Sequence, residues 1–128
     1  IMTNDLHNEM AEFAFGQVKK IPSAKKAEFR SLARSFPSMV QANGLCASIA
    51  FLYAKQDSAS QKAMYDLINT WFAEHCDCSS NTKLAERIIS LNSKEYRLYT
   101  TEVMNLCLWV KRFAEGMAED DGKQQTRE

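Results

Sequence analysis

The sequence predicts an all-α fold, a compact bundle of about six helices with a long C-terminal helix. Three observations predict it. Apolar residues recur at the helical period of 3.6 almost throughout, and sustained strand alternation appears nowhere. Only four glycines and two prolines punctuate 128 residues, too few for the many turns of a β-sandwich. An apolar fraction of 45% and a charged fraction of 25% are ordinary globular values, enough to bury one core without staples. Residues 4–118 read as a single helical domain and 119–128 as a polar, flexible tail.

The first helix is expected over 4–20, with Leu6, Met10, Phe13 and Val18 on or near one side. Lys19 and Lys20 close it, where cations suit the negative end of the helix dipole. Ile21 and Pro22 break the pattern, and a second helix follows to Phe36, carrying Phe29, Leu32, Ala33 and Phe36 on its apolar side. Pro37 suits the first turn of a third helix, where its missing N–H costs little. Met39, Val40, Leu45, Ile49, Leu52 and Tyr53 carry that helix to about Lys55. Gly44 falls inside it and needs a local reason: either the helix breaks there, or another backbone packs too close for a Cβ. Close packing is the favoured of the two.

Ser58 and Gln61 have capping-box spacing at the head of a fourth helix, which runs to about Glu74 and buries Met64, Leu67, Ile68, Trp71 and Phe72. Cys76 to Asn81 is the best loop candidate. A short fifth helix, 82–91, shows Leu84, Ile88 and Leu91, and Asn92 with Glu95 repeats the capping-box spacing. In the last helix Tyr96, Tyr99, Val103, Leu106, Val110, Phe113 and Met117 step by three and four without a slip. Such a seam marks the central helix of a bundle more often than a coiled coil with another chain.

Net charge is zero, yet it is unevenly placed. Residues 19–62 hold eight basic residues against Glu28 and Asp57, a surplus of six, while the flanking segments are acidic. Lys19, Lys20, Lys25, Lys26, Arg30 and Arg34 cluster around the first helix–helix connection. Solvated helix faces would explain this charge; so would a strip that faces phosphate. Tyr53 and Trp109 adjoin basic residues, though packing accounts for an aromatic beside an apolar seam.

Catalytic patterns are missing. There is no glycine-rich phosphate loop, paired-histidine metal helix or nucleophile elbow. His7 and His75 are the two histidines, on different helices, and the carboxylates are scattered. His75, Cys76, Asp77 and Cys78 form the one cluster with metal-ligand chemistry, but no second ligand pair exists for a structural zinc. Cys46 and Cys107 fall on apolar stripes and read as buried thiols. No cofactor is expected, and the chain reads as reduced and cytoplasmic. No apolar run reaches the roughly 20 residues that span a bilayer, so no membrane partner is expected.

Two stretches carry a resemblance. From Pro37 the chain passes through Asn43, Gly44 and Leu45 to the aromatics Phe51 and Tyr53 and then Lys55. From Tyr96 and Arg97 it runs to Trp109, Lys111, Arg112, Phe113 and Ala114. Both resemble the small subunit of type III-B CRISPR effector complexes, the RAMP-module (Cmr) RNA-silencing machines. The likeness covers residues 4–118 in order and helix character. It implies a compact all-α protein without catalysis of its own, standing in several head-to-tail copies beside the backbone subunits that hold CRISPR RNA. The partners implied are CRISPR RNA and target RNA, RAMP-type backbone subunits, the large subunit and neighbouring copies. Lys55, Lys111 and Arg112 match basic positions of the family pattern and are assigned RNA contact on that ground. Lys25, Lys26, Arg30 and Arg34 join them from charge alone. The neutral net charge departs from the basic character expected of such subunits.

The function expected is therefore a non-catalytic RNA-binding scaffold that lines a guide–target duplex with basic residues. A helical protein–protein adaptor without an RNA role is the alternative. A metal enzyme built on His75, Cys76 and Cys78 is a third, weaker one.

Overall fold

Helices succeed one another with short connections: α1 (Asn4–Lys19), a 3₁₀ turn (Ser23–Lys25), α2 (Lys26–Asn43), α3 (Leu45–Ala54), α4 (Ala59–His75), α5 (Leu84–Ser90) and α6 (Ser93–Thr126). This computed structural model describes the backbone of residues 4–55, 57–75 and 83–126, and the side chains of 8–55, 57–75 and 83–117. Among the described residues there is no strand, and the all-α bundle with a long C-terminal helix is as expected. No described helix is long and apolar enough to cross a membrane.

The long helix α6 organises the bundle by packing along α1 and α2. Val103, Leu106 and Val110 of its seam are fully buried, with Tyr96, Tyr99, Phe113 and Met117 half-buried against the same core. Burying each aliphatic side chain contributes about 1.5–3 kcal/mol, so the seam is satisfied inside the chain's own domain. The start of α6 is fixed by the predicted capping box. Glu95 N–H donates to Asn92 Oδ1 at 2.8 Å, and Asn92 N–H donates to Glu95 Oε1 at 3.1 Å. Trp71 of α4 is fully buried beside Phe13 of α1 (ring centroids 5.3 Å apart), and its Nε1–H donates to Glu102 of α6 at 2.9 Å. Phe72 stacks on Tyr99 at 4.4 Å, and Arg87 of α5 donates to the Tyr99 hydroxyl at 2.7 Å.

Pro37 does not open a helix. It lies buried in the interior of α2, which runs on to Asn43. An interior proline costs about 3 kcal/mol. The face made by Phe29, Ala33, Phe36, Pro37 and Val40 is buried as a unit, and that burial outweighs the lost bond. The break comes at Gly44 instead, where φ is 88° and ψ is 164°. Of the two reasons open to this glycine, backbone conformation is the operative one; the neighbour nearest a Cβ there would be a side-chain hydroxyl, Tyr96 Oη, at 3.3 Å. Gly44 has no side chain to cap α3. The Tyr96 hydroxyl does so from α6, accepting the Cys46 N–H at 2.8 Å, and the buried Ser48 hydroxyl donates to the Gly44 carbonyl at 2.8 Å.

This break resets the helical phase, with one consequence for the cysteines. α3 buries Leu45, Ser48, Ile49 and Leu52, which turns Cys46 outward, contrary to the expectation that it is buried. Cys107 is buried as expected.

Candidate nucleic-acid interface

Lys26, Arg30 and Arg34 are four residues apart on α2 and so form one stripe along the helix. That stripe faces α6. The two helices run antiparallel, because Tyr96 reaches the end of α2 while Ala114 and Met117 share a small hollow with Lys26 and Phe29 at its start. Val18 and Ile21 of α1 complete the hollow, and Lys26 is its one charged lining residue. Arg30 is half-buried, and its Nε is buried with no hydrogen-bond partner among the described residues. A charged donor without an acceptor is unusual inside a protein, and here the rest of the guanidinium reaches outward. Arg34 Nε donates to Glu115 Oε1 of α6 at 3.0 Å, with both side chains well exposed. Such a pair contributes less than about 1 kcal/mol to stability, but it ties the stripe to α6. Lys111 stands one turn before Glu115, on the same side of α6.

Four of the seven cations singled out in the sequence thus line one α2–α6 seam, with the acid Glu115 among them. The other three lie elsewhere. Lys25 ends the 3₁₀ turn beside the stripe and stands 4.0 Å from Glu28. Lys55 closes α3, which packs on α2, α4 and α5, and its Nζ lies 5.7 Å from the Phe51 ring. Arg112 is one residue beyond Lys111 and therefore about a quarter-turn round α6, exposed over Trp109 at 5.7 Å. Sequence reasoning missed Glu115. Its spacing of four from Lys111 was the available signal, but only the partner helix shows which face the pair occupies.

Nothing described supplies an alternative chemistry. No three His, Cys, Asp or Glu side chains converge on a metal position among the described residues. Cys76, Asp77 and Cys78 of the proposed cluster lie outside the described residues, as does the His7 side chain. His75 stacks on Trp71 at 3.7 Å, with Nδ1 3.0 Å from the Trp71 carbonyl and Nε2 3.6 Å from Glu9. Burial pushes the Cys107 thiol up to about 12, which leaves it neutral and unreactive.

The fold is a helical bundle with a charged surface along the α2–α6 seam. Against known proteins, the model of the family described as CRISPR-associated protein (Cas_Cmr5) matches residues 6–117. The chain belongs to that family, and so is a subunit of a type III-B CRISPR effector complex. A crystal structure of a CRISPR-associated Cmr5 family protein from Thermus thermophilus superimposes with a TM-score of 0.72. The match covers 90% of this chain and 97% of that one at 24% identity, so what it shows is the shared fold. The resemblance read from the two helical stretches therefore holds.

Proposed function

We propose that the chain is a non-catalytic scaffold subunit that lines a guide–target RNA duplex within the effector complex. Its partners are then CRISPR RNA, target RNA, the RAMP-type backbone subunits, the large subunit and neighbouring copies of itself. The observation that carries this reading is the α2–α6 seam: Lys26, Arg30 and Arg34 on one helix opposite Lys111 on the next, with a half-buried guanidinium whose Nε lacks an acceptor. Lysine and arginine in a row bind backbone phosphate by releasing condensed counterions, largely without regard to sequence. Lys25 extends the row at its start, and Lys55 and Arg112 offer contacts on other faces. The rows differ in rigidity. Arg34 is held by Glu115, whereas Lys55 and Arg112 rest on aromatic rings.

Fluorescence anisotropy of the purified chain with RNA duplexes, repeated across salt concentrations, tests this. Lys111→Ala with Arg112→Ala should weaken binding equally for all sequences. With about 0.7–0.9 of a counterion released per phosphate contact, the slope of log K against log salt should flatten by roughly 1.4–1.8. An unchanged slope, or a changed sequence preference, would sink the reading. Salt-resistant capture of a partner protein with no RNA would transfer the role to the adaptor alternative.

A further inference from the structure

On the other flank of α6 lies a feature that charge alone does not explain. Trp109 and Phe113 are one turn apart and stack at 5.8 Å with their planes 19° from parallel. Phe15 of α1 meets Phe113 edge-on at 5.3 Å, yet remains 46% exposed. Arg112 lies over the Trp109 ring at 5.7 Å, with no carboxylate pairing it among the described residues. The next place on the Trp109–Phe113 stripe is Gly116, where an added Cβ would meet nothing within 4 Å, and Gly16 beside Phe15 is equally open. Trp109 and Phe113 are half-buried against the core and Phe15 is exposed beside them, so the three rings form a partly open ledge with a guanidinium at its edge and Lys19 one turn beyond Phe15.

We propose that Phe15, Phe113 and Trp109, with Arg112, form a stacking ledge for an unpaired nucleobase of RNA. This rests on the RNA-binding reading of the α2–α6 seam and goes further, because it assigns the α1–α6 flank to a different part of the nucleic acid. Aromatic faces and guanidinium planes bind bases through their π-faces with little sequence preference. In a duplex those faces are stacked on one another, so the ledge selects a base that is unpaired or turned out. Charge complementarity favours a polyanion, since Arg112 and Lys19 border the ledge; Glu12, one turn before Phe15, marks its acidic limit. Ledge and seam lie on opposite sides of α6, separated by about the 10–12 Å diameter of a helix, with Arg112 between them. One strand crossing α6 can therefore touch both.

The test uses the full chain and four probes: a single-stranded RNA, the same strand with abasic residues, a fully paired duplex, and an acidic leucine-bearing peptide. The wild type should bind the base-bearing strand at least about fivefold more tightly than the abasic one. Phe15→Ser should bring that ratio close to one while duplex affinity is unchanged. Should the variant fold poorly, tryptophan fluorescence of the wild type gives a second readout. Trp71 is fully buried, so quenching by the base-bearing strand and not by the abasic one reports Trp109. Equal binding of the two strands by the wild type would overturn the ledge and leave the seam standing. Binding of no RNA at all would overturn both. Capture of the peptide that Phe15→Ser abolishes, with RNA affinities unaltered, would make the flank a peptide site and overturn the proposal.

Discussion

Replacing Gly44 with alanine strikes the joint that separates α2 from α3. At φ 88° and ψ 164° the residue occupies a region essentially reserved for glycine, where any other side chain costs on the order of 1–3 kcal/mol. The new Cβ would also lie 3.3 Å from Tyr96 Oη, tighter than an ordinary contact. That hydroxyl is not free to withdraw, because it accepts the Cys46 N–H at 2.8 Å and is the acceptor at the head of α3. Giving up this bond costs about 1 kcal/mol more. Gly44→Ala is therefore expected to destabilise the chain by about 2–4 kcal/mol, a fall in Tm of roughly 8–15 °C for a domain of this size.

Urea unfolding followed by circular dichroism measures the loss directly. Tyr96→Phe provides the control: alone it should cost about 1 kcal/mol, by removing the acceptor. Together with Gly44→Ala it should cost less than the sum of the two, since the Cβ then has room. A loss below about 0.5 kcal/mol for Gly44→Ala would refute the conformational argument, because the strained region alone demands more. Strict additivity in the double variant would refute the crowding.

Asn92→Ala removes the acceptor for Glu95 N–H and should cost about 1 kcal/mol in a thermal melt, with Asn92→Ser recovering most of it. Of Cys46 and Cys107, only Cys46 should react with a thiol reagent at pH 8 in the native protein, Cys107 following on unfolding. Because burial raises the Cys107 thiol from about 9 to about 12, its neutral form is favoured in the fold. Its stabilising contribution is complete below pH 9 and is lost as pH rises from there to about 12; the same unfolding series on Cys107→Ala should show a shallower decline. Glu115→Gln should change stability by less than about 1 kcal/mol, since the pair is exposed, yet tighten RNA binding at low salt by removing the acid from the seam. Weaker RNA binding would mean that Glu115 instead holds Arg34 in a binding posture.

Helix by helix, legibility followed how local the cause was. The capping box of Asn92 and Glu95 and the seam from Tyr96 to Met117 are set by residues within one or two turns, and both appear where the spacing places them. Pro37 and Gly44 mislead for the same reason in opposite directions. A proline's local penalty is overridden by the burial of Phe29 to Val40, and a mid-pattern glycine proves to be the break because the acceptor for the Cys46 N–H just beyond it, the Tyr96 hydroxyl, comes from 50 residues away. The outward turn of Cys46 follows from that, since a break between Asn43 and Leu45 shifts every later residue on the helical wheel. For the interface, the run of cations on α2 is visible as a run. Its direction is not: whether Lys111 or Arg112 turns toward α2 depends on how α6 lies in the bundle, and adjacent helical residues diverge by about 100°.

That dependence has a consequence for how the seam can fail. Its four cations come from two helices that share a hollow lined by Phe29, Ala114 and Met117 at one end, while at the other Tyr96 of α6 bonds the first turn of α3 just past the end of α2. The Arg34–Glu115 pair, a direct polar link along the seam, is worth too little to set the helix separation. Packing of the α2–α6 core must therefore set the spacing of the charges. A cavity opened by Phe29→Ala, at about 3–5 kcal/mol, would disturb phosphate contact without touching a cation. A loss of RNA affinity on that change, in protein that remains folded, would place the control of binding in the core, whereas conserved affinity would mean that the cations adapt independently of the helices that carry them.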